Sequence, residues 1–232
     1  MITARAVETA ATVAALLFLA DPARATTHDG KPKILLHAQP VVAKNICASG
    51  YVGNCQQAVT NGSLNTYHNV FVLADRGNQP NLGGLQFGID YDGGFNLDGG
   101  FSPISVFSWD LCGSFELVSP VPAWPSPGGG NLVMLADYGG GGCPTSETTV
   151  AGYFYMGAYQ PAAMSITARP IDQTMKVATC NNQEVLLHAP DDAGYVYFSN
   201  AGTPGCNPCD APCGIVAVEP STWSRIKSRG AR

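Results

Sequence analysis

Charged side chains are scarce in this sequence. They make up 12% of its 232 residues, whereas an average soluble domain has about 25%. The balance is acidic, with a net charge of −5, and residues 67–190 contain ten acidic but only three basic side chains. Because an acidic surface repels phosphate backbones, the composition disfavours nucleic acid as a partner, and we predict none. Four basic residues crowd the last eight positions, and we interpret them as a solvated chain end.

Catalytic fingerprints are also missing. The sequence has no G-x-S-x-G, H-E-x-x-H, phosphate-binding loop or dinucleotide motif. Its four histidines are scattered, without the spacing of metal ligands. The sequence therefore predicts a non-enzymatic protein. The alternative is a secreted polysaccharide hydrolase that uses two carboxylates. The acidic residues available for that chemistry are Asp90, Asp92, Asp110, Glu116 and Asp137.

Long apolar runs are absent after the first 25 residues. Residues 10–20 form the longest run, which is shorter than the roughly 20 residues that span a bilayer. Arg5 precedes this run, and Ala23 and Ala25 follow it in a small-x-small pattern. This arrangement is typical of a cleaved signal peptide. We predict a signal peptide at residues 1–25, a mature chain that is secreted or periplasmic, and no membrane span.

Helical periodicity is absent from the predicted mature body, where alternation of apolar and polar residues dominates. The clearest case is the alternation of Leu85, Phe87, Ile89 and Tyr91 with more polar neighbours, which predicts a half-buried strand. Further strands are predicted at 34–42, 69–75, 104–111, 132–136, 150–159, 164–168, 175–179, 184–188, 194–199 and 214–218. Many short strands separated by Gly- and Pro-rich turns favour an all-β, antiparallel sandwich over residues 26–216. Residues 217–232 form a predicted tail with a short helical turn at 223–227.

Cysteine, in contrast, is plentiful. The eight cysteines are Cys47, Cys55, Cys112, Cys143, Cys180, Cys206, Cys209 and Cys213. An even number in an exported chain predicts four disulfides and no free thiol. Sequence alone leaves many connectivities open. Proximity along the chain favours the pairs Cys47–Cys55, Cys112–Cys143, Cys180–Cys209 and Cys206–Cys213. The C-x-x-C spacing near the end is half of a zinc site, but no second pair completes it.

Several segments together resemble a known kind of protein. The succession of NVFVLAD, GGLQFGIDYD, NLVMLADY, TTVAGYFYMGAY and MSITARP resembles the strand order of cohesin-like sandwich modules. The chain is also similar to uncharacterised secreted bacterial proteins. The shared pieces are G-x-x-F-G-I-x-Y at 84–91, W-P-x-P-G-G-G-N at 124–131, A-G-Y-F-Y at 151–155 and T-W-x-x-I-K at 222–227. The resemblance implies a cohesin-like or Ig-like sandwich and an extracellular location. Cohesins bind dockerins, but no motif specific to that surface occurs here.

Aromatic residues are the first candidate binding site. Tyr153, Tyr155 and Tyr159 fall on one face of a predicted strand, and such a row can stack on sugar rings. Trp124 lies between prolines ahead of three glycines, in a predicted loop. These four residues are the candidate glycan-binding platform. The alternative is that they pack in the core, as aromatic side chains in β proteins commonly do.

An acidic turn is the second candidate. Asp90, Asp92, Asn96 and Asp98 place oxygen ligands at short spacing among glycines, as a calcium loop does. Gly94 occupies a ligand position of the EF-type pattern, and no glutamate closes the loop. Asp and Asn also favour turns without any metal. We therefore predict no obligatory cofactor, with calcium at this turn as the alternative.

These observations predict a secreted binding or adhesion module that recognises an extracellular protein or a glycan. The oligomeric state stays open. A polysaccharide hydrolase and a structural subunit of an extracellular filament or coat are the alternatives.

Overall fold

The computed structural model describes residues 29–42, 47–95, 102–136 and 142–214. The predicted signal peptide, nearly all of the last predicted strand and the tail lie outside these ranges, as do Asn96, Asp98 and Asp137. Regular structure in the described ranges is almost entirely β-strand, which confirms the predicted fold class. The helical pieces there are two 3₁₀ turns, Cys47–Gly50 and Cys55–Gln57. No described helix has the length and apolar character needed to cross a membrane.

The strands form two sheets. They are β1 (Lys33–Pro40), β2 (Asn61–Gly62), β3 (Thr66–Asp75), β4 (Gly84–Tyr91), β5 (Gly93–Phe95), β6 (Ile104–Leu111), β7 (Phe115–Val118), β8 (Gly130–Met134), β9 (Thr148–Ala158), β10 (Ala162–Thr167), β11 (Met175–Ala178), β12 (Glu184–Leu187) and β13 (Tyr195–Phe198). The first sheet has the order β1-β3-β9-β6-β5, and the second has the order β12-β11-β4-β10-β13-β2. Strand β8 pairs with β4, and β7 pairs with β8. Most pairs are antiparallel, as predicted, but β5–β6 and β2–β13 are parallel.

The inward faces of the two sheets form the main core. On β3, Val70, Val72 and Ala74 point to this core, while Phe71 and Leu73 between them point away from it. All five are fully buried. The continuous apolar run on β3 therefore reflects burial on both faces. Something must consequently cover the outer face of the first sheet.

Residues 47–58 provide that cover. This segment carries both 3₁₀ turns and places Val52 and Cys55 against the outward-facing Leu35, Phe71 and Tyr153. Gly50 lies directly against the Phe71 ring, where a Cβ atom would overlap the ring carbons. The glycine is thus required by close approach. The segment converts part of an otherwise solvent-facing sheet surface into a second, smaller core.

All eight cysteines form disulfides, but three of the four predicted pairs are wrong. The observed pairs are Cys47–Cys112, Cys55–Cys209, Cys143–Cys180 and Cys206–Cys213. Only Cys206–Cys213 was predicted. Cys47 and Cys55 do not bridge their own short loop because they tie the two ends of the covering segment to different places. Proximity along the chain fails as a guide here, since a sandwich brings residues of distant strands together.

Strand β4 corrects a second expectation. Alternation predicts a half-buried strand, yet Gln86 is only 3% exposed. The strand pairs on both edges, with β8 on one side and with β10 and β11 on the other. The loop between β10 and β11 reaches over its outer face, where Asp172 Oδ2 accepts a hydrogen bond of 2.9 Å from Gln86 Nε2. Gln86 on the polar face of β4 is therefore covered by a hydrogen-bonded loop, whereas Asp90 near the end of the strand is exposed.

Burial of His37 makes the stability of this fold depend on pH. The side chain is 3% exposed, and its burial lowers the pKa from 6.5 to about 4. Between about pH 6.5 and 4, His37 is thus protonated in the unfolded chain but stays neutral in the folded chain. We expect His37 to destabilise the fold by about 2–3 kcal/mol as the pH falls from 6.5 to 4.

Urea unfolding of the parent and of His37→Gln across this range measures the contribution of His37. The parent should lose more stability than the variant on acidification. Asp75 has the opposite effect on the pH dependence of stability, because burial raises its pKa to about 6. Its contribution to the stability therefore increases as the pH falls. It is common to both proteins and cancels in the comparison. Exposed His188→Gln is the control, and an equal pH slope in parent and His37→Gln would contradict the prediction.

Candidate binding surfaces

The three tyrosines of the predicted platform share the outer face of the first sheet, but they have different environments. Tyr153 is 2% exposed, because the covering segment lies over it, and its ring centroid is 5.3 Å from that of Phe71. Tyr155 lies two residues further along β9, beyond the covering segment, and is half-buried. Tyr159 follows the end of β9 and bends back over Gly157 on the same face. Tyr153 is thus part of the smaller core.

Tyr155 and Tyr159 belong to an aromatic cluster that sequence reasoning missed in part. Tyr67 on β3 and Phe107 on β6 flank Tyr155, with ring centroids 5.7 Å and 5.5 Å away. Tyr67 is 52% exposed. Burial, together with the charge of Tyr67 and a hydrogen bond to it, raises the pKa of Tyr159 above its ordinary value. These four residues, Tyr67, Phe107, Tyr155 and Tyr159, are called the aromatic cluster below.

Trp124 lies apart from the tyrosines, between the two sheets. Its ring centroid is 5.0 Å from that of Trp109, 5.5 Å from Phe154 and 5.6 Å from Phe87. Phe154 belongs to the first sheet and Phe87 to the second, so the indole fills the space between them. Within the described ranges its buried Nε1 has no hydrogen-bond partner. The predicted four-residue platform is therefore not formed, because apolar contact draws Trp124 inward.

The carboxylates considered for hydrolysis lie in different parts of the sandwich. Glu116 turns inward from β7, where its Oε2 accepts hydrogen bonds from Trp109 Nε1 at 2.8 Å and Asn131 Nδ2 at 2.7 Å. Asp110 lies on β6 in the first sheet and accepts a hydrogen bond from its neighbour Ser108. Glu116 thus links the two sheets, and Asp137 lies outside the described residues. Packing and hydrogen bonding between the two sheets therefore account for the inward position of Glu116.

Only half of the acidic turn falls in the described ranges. Asp90 and Asp92 are exposed, and Asp90 Oδ1 accepts a hydrogen bond from the amide of Tyr91. Gly93 pairs with Ile104, whose carbonyl oxygen leaves no room for a Cβ atom. Turn formation thus accounts for this glycine, and calcium binding with Asn96 and Asp98 stays a prediction.

One group of metal-ligand side chains occurs among the described residues. Cys55, Cys209 and the carboxylate of Asp75 lie within 4.8 Å of one another. Both cysteines form one disulfide, and a disulfide sulfur is not the thiolate that a metal requires. The group is therefore a disulfide beside a buried acid.

The outer face of the second sheet has a further exposed surface, which the sequence analysis did not predict. Cross-strand pairing places Phe115 beside Met134 and Leu117 beside Leu132 on that face. Phe115 and Leu117 are 47% and 51% exposed. These four residues are called the β7–β8 patch. The sequence analysis did not predict β7, and the pairing of β7 with β8 cannot be read from the sequence.

A cleft adjoins the patch. It has a volume of 390 Å³, and its walls include Leu132, Met134 and Ala178 over a floor at Gly84. The far side of the same face is polar, with Lys176 Nζ 2.7 Å from Glu184 Oε1. The face is thus apolar at the β7 edge and charged at the β12 edge. Within the described ranges β7 pairs only with β8, so its other edge is open to a partner.

The fold and these surfaces define a disulfide-linked, all-β sandwich. No family model and no curated protein sequence matches the chain. Solved cohesin modules are similar to it. One belongs to a family 33 glycoside hydrolase of Clostridium perfringens, with a TM-score of 0.40 and 7% identity over 71% of this chain and 97% of that one.

Two further similar structures are cohesins solved in complexes with dockerins. The sixth cohesin of Acetivibrio cellulolyticus scaffoldin B has a TM-score of 0.41 and 14% identity, over 72% of this chain and 98% of that one. A type I cohesin of Clostridium thermocellum has a TM-score of 0.38 and 10% identity, over 60% of this chain and 90% of that one. At such identities the similarity concerns the fold alone.

Proposed function

We propose that this protein is an extracellular, non-enzymatic binding module that holds a partner protein on the β7–β8 patch. The observation that carries the proposal is the exposure of Phe115 and Leu117 side by side on an open edge strand. Contiguous exposed apolar side chains are typical of interaction sites. Val118 and Val121, 45% and 82% exposed, add apolar surface close by. Four disulfides suit an oxidising, extracellular setting.

The open edge of β7 suggests how the partner is held. A strand of the partner that pairs with β7 would satisfy its backbone groups, as in strand addition to other sheet edges. Phe115 and Leu117 would then contact alternate side chains of the added strand, and the adjoining cleft would accept a larger one. The patch itself is uncharged, so specificity would depend on shape and on rim groups such as Arg169. Arg169 Nη2 lies 3.3 Å from the carbonyl oxygen of Leu117.

The aromatic cluster supports a second candidate, a glycan ligand. Tyr67 and Tyr155 offer ring faces, and tyrosine hydroxyls can hydrogen-bond to sugars. The cluster lies on the opposite sheet from the β7–β8 patch, so substitutions can separate the two candidates.

The test uses the immobilised protein and the proteins that the producing cells secrete. We expect the unaltered protein to retain one or a few secreted proteins. The double variant Phe115→Glu, Leu117→Glu should retain at least tenfold less, because it places charges in the apolar contact.

A matched control is Leu186→Glu, at an exposed leucine on β12 of the same sheet, which should bind as the parent does. A Tyr67→Ala, Tyr155→Ala variant is compared in parallel. Loss of retention only in the tyrosine variant, with release by soluble polysaccharide, would favour the glycan. Equal retention by parent and Phe115→Glu, Leu117→Glu would refute the protein-binding proposal.

A further inference from the structure

Lys33, at the start of β1, has a fully buried side chain. Its Nζ lies 2.6 Å from Oδ1 of Asp192 and 2.9 Å from Oδ2 of Asp29. The Asp192 side chain is 2% exposed, whereas that of Asp29 is 31% exposed. Lys33 and Asp192 thus form an ion pair that is shielded from water, and Asp29 closes its outer side. Transferring both charges out of water is costly, so the pair needs an explanation.

The backbone holds Lys33 and Asp192 together independently of their charges. The amide of Ile34 donates to the carbonyl oxygen of Asp192 at 3.0 Å, and the amide of Gly194 donates to Ile34 at 2.9 Å. The second carboxylate oxygen of Asp192 accepts the amide of His188 at 2.9 Å. The amine and the carboxyl carbon are therefore fixed side by side, as an intramolecular reaction requires.

A second buried acid lies on the neighbouring strand. Asp75 on β3 is the register partner of Lys33 on β1, and its side chain is 1% exposed. Its Oδ1 accepts the amide of Gly77 at 2.7 Å, while its buried Oδ2 has no hydrogen-bond partner among the described residues. Burial raises the pKa of Asp75 to about 6, against the hydrogen bond from the Gly77 amide, which lowers it. The charge of Glu147 raises this pKa further, and the charges of Arg76 and Lys33 lower it. Asp75 can therefore take up and return a proton near neutral pH.

We propose that Lys33 and Asp192 condense to form an intramolecular amide bond. The ammonium first gives a proton to the Asp192 carboxylate, so that a neutral amine faces a neutral carboxyl group. Nζ then attacks Cγ, the N–C bond forms, and the C–OH bond breaks with release of one water. Asp75 carries the proton from the nitrogen to the departing hydroxyl and is regenerated. No other reactant is needed.

The energetics favour the product in this location. An amide is neutral, so its formation removes two buried charges. The bond would join β1 to the residue three positions ahead of β13, across 159 residues of sequence. It would hold the first strand to the last described strand when a reductant has opened all four disulfides.

Mass spectrometry of the reduced and alkylated protein tests the proposal. Trypsin should fail to cleave after Lys33, and one branched peptide should contain both Lys33 and Asp192. Its mass should be about 18 Da below the sum of its two linear parts, the mass of one water. Recovery of unmodified Lys33 and Asp192 peptides in full yield would overturn the proposal.

Variants assign the roles of the three carboxylates. Asp29→Asn should retain the branched peptide, because Asp29 is not the reacting group. Asp75→Asn should retain the fold, measured by near-UV circular dichroism, and lose most of the branched peptide. Lys33→Arg is the uncross-linked reference. Loss of one water within the peptide that contains both Asp29 and Lys33 would refute Asp192 as the acyl group, and full cross-linking in Asp75→Asn would refute the proton-transfer role.

Discussion

Reduction of the disulfides should abolish cooperative folding at about 37 °C. The Cys55–Cys209 bond spans 154 residues of sequence, and Cys47–Cys112 spans 65. In the chain-entropy description, loops of these lengths restrict the unfolded chain by about 4–5 kcal/mol each. Their sum approaches the whole stability of a typical domain, about 5–15 kcal/mol. Thermal unfolding with and without a phosphine reductant measures the effect.

Double variants that each remove one disulfide show whether the loss of stability depends on the length of the loop that the disulfide closes. Replacing Cys55 and Cys209 by alanine should cost about 5 kcal/mol, whereas replacing Cys206 and Cys213, only seven residues apart, should cost about 2–3 kcal/mol. Chemical denaturation of the two double variants makes the comparison. Equal losses in both, or a reduced protein that melts like the oxidised one, would show that the loops do not set the stability. The long bond also holds the covering segment over Phe71 and Tyr153, so its loss should expose those rings as well.

Replacing Trp124 by alanine should destabilise the fold by about 3 kcal/mol. Removal of a large aromatic side chain from a core usually costs about 3–5 kcal/mol, and Trp124 is half-buried, so the lower end applies. The indole contacts aromatic rings of both sheets, and its loss leaves a cavity at their interface. For a chain of this size the melting temperature should fall by about 6–12 °C.

The control substitution lies in the same loop. Val121 is 82% exposed, so Val121→Ala should change the stability by less than about 0.5 kcal/mol. Differential scanning calorimetry of both variants decides the matter. A Trp124→Ala protein that melts with the parent would mean that the indole carries no packing role, and the exposed-platform interpretation would return.

Strands were the most predictable feature. The period-2 pattern of Leu85, Phe87 and Ile89 placed β4 correctly, and the predicted strands within the described ranges all correspond to observed ones. The pattern is readable because one face of each strand meets the core. It failed for β2 and β5, which have two and three residues, too few for alternation to show. It also missed the four-residue β7, although β11, β12 and β13 of the same length were predicted.

The candidate sites were less predictable, for a specific reason. The facing of Tyr153 and Tyr155 toward one side of β9 was predicted correctly, because it follows from the strand itself. Whether that side meets solvent depends on residues 47–58, which are far away in sequence. Tyr67 and Phe107 join Tyr155 only through the registers of β3 and β6 on β9, and both registers shift at a bulge or irregularity. These registers cannot be predicted from the local sequence of any one strand.

Sequence alone thus determined the all-β class, the even set of paired cysteines and the side of each long strand on which its residues lie. These properties follow from local periodicity and composition. Only the tertiary structure decided the disulfide partners, the burial of Tyr153 and Trp124, the β7–β8 patch and the meeting of Lys33, Asp75 and Asp192. Each of these depends on contact between strands distant in sequence, which is determined by sheet order and register. The physical reason is that side-chain direction is a local property of the strand, whereas coverage and contact are properties of the assembled sheets.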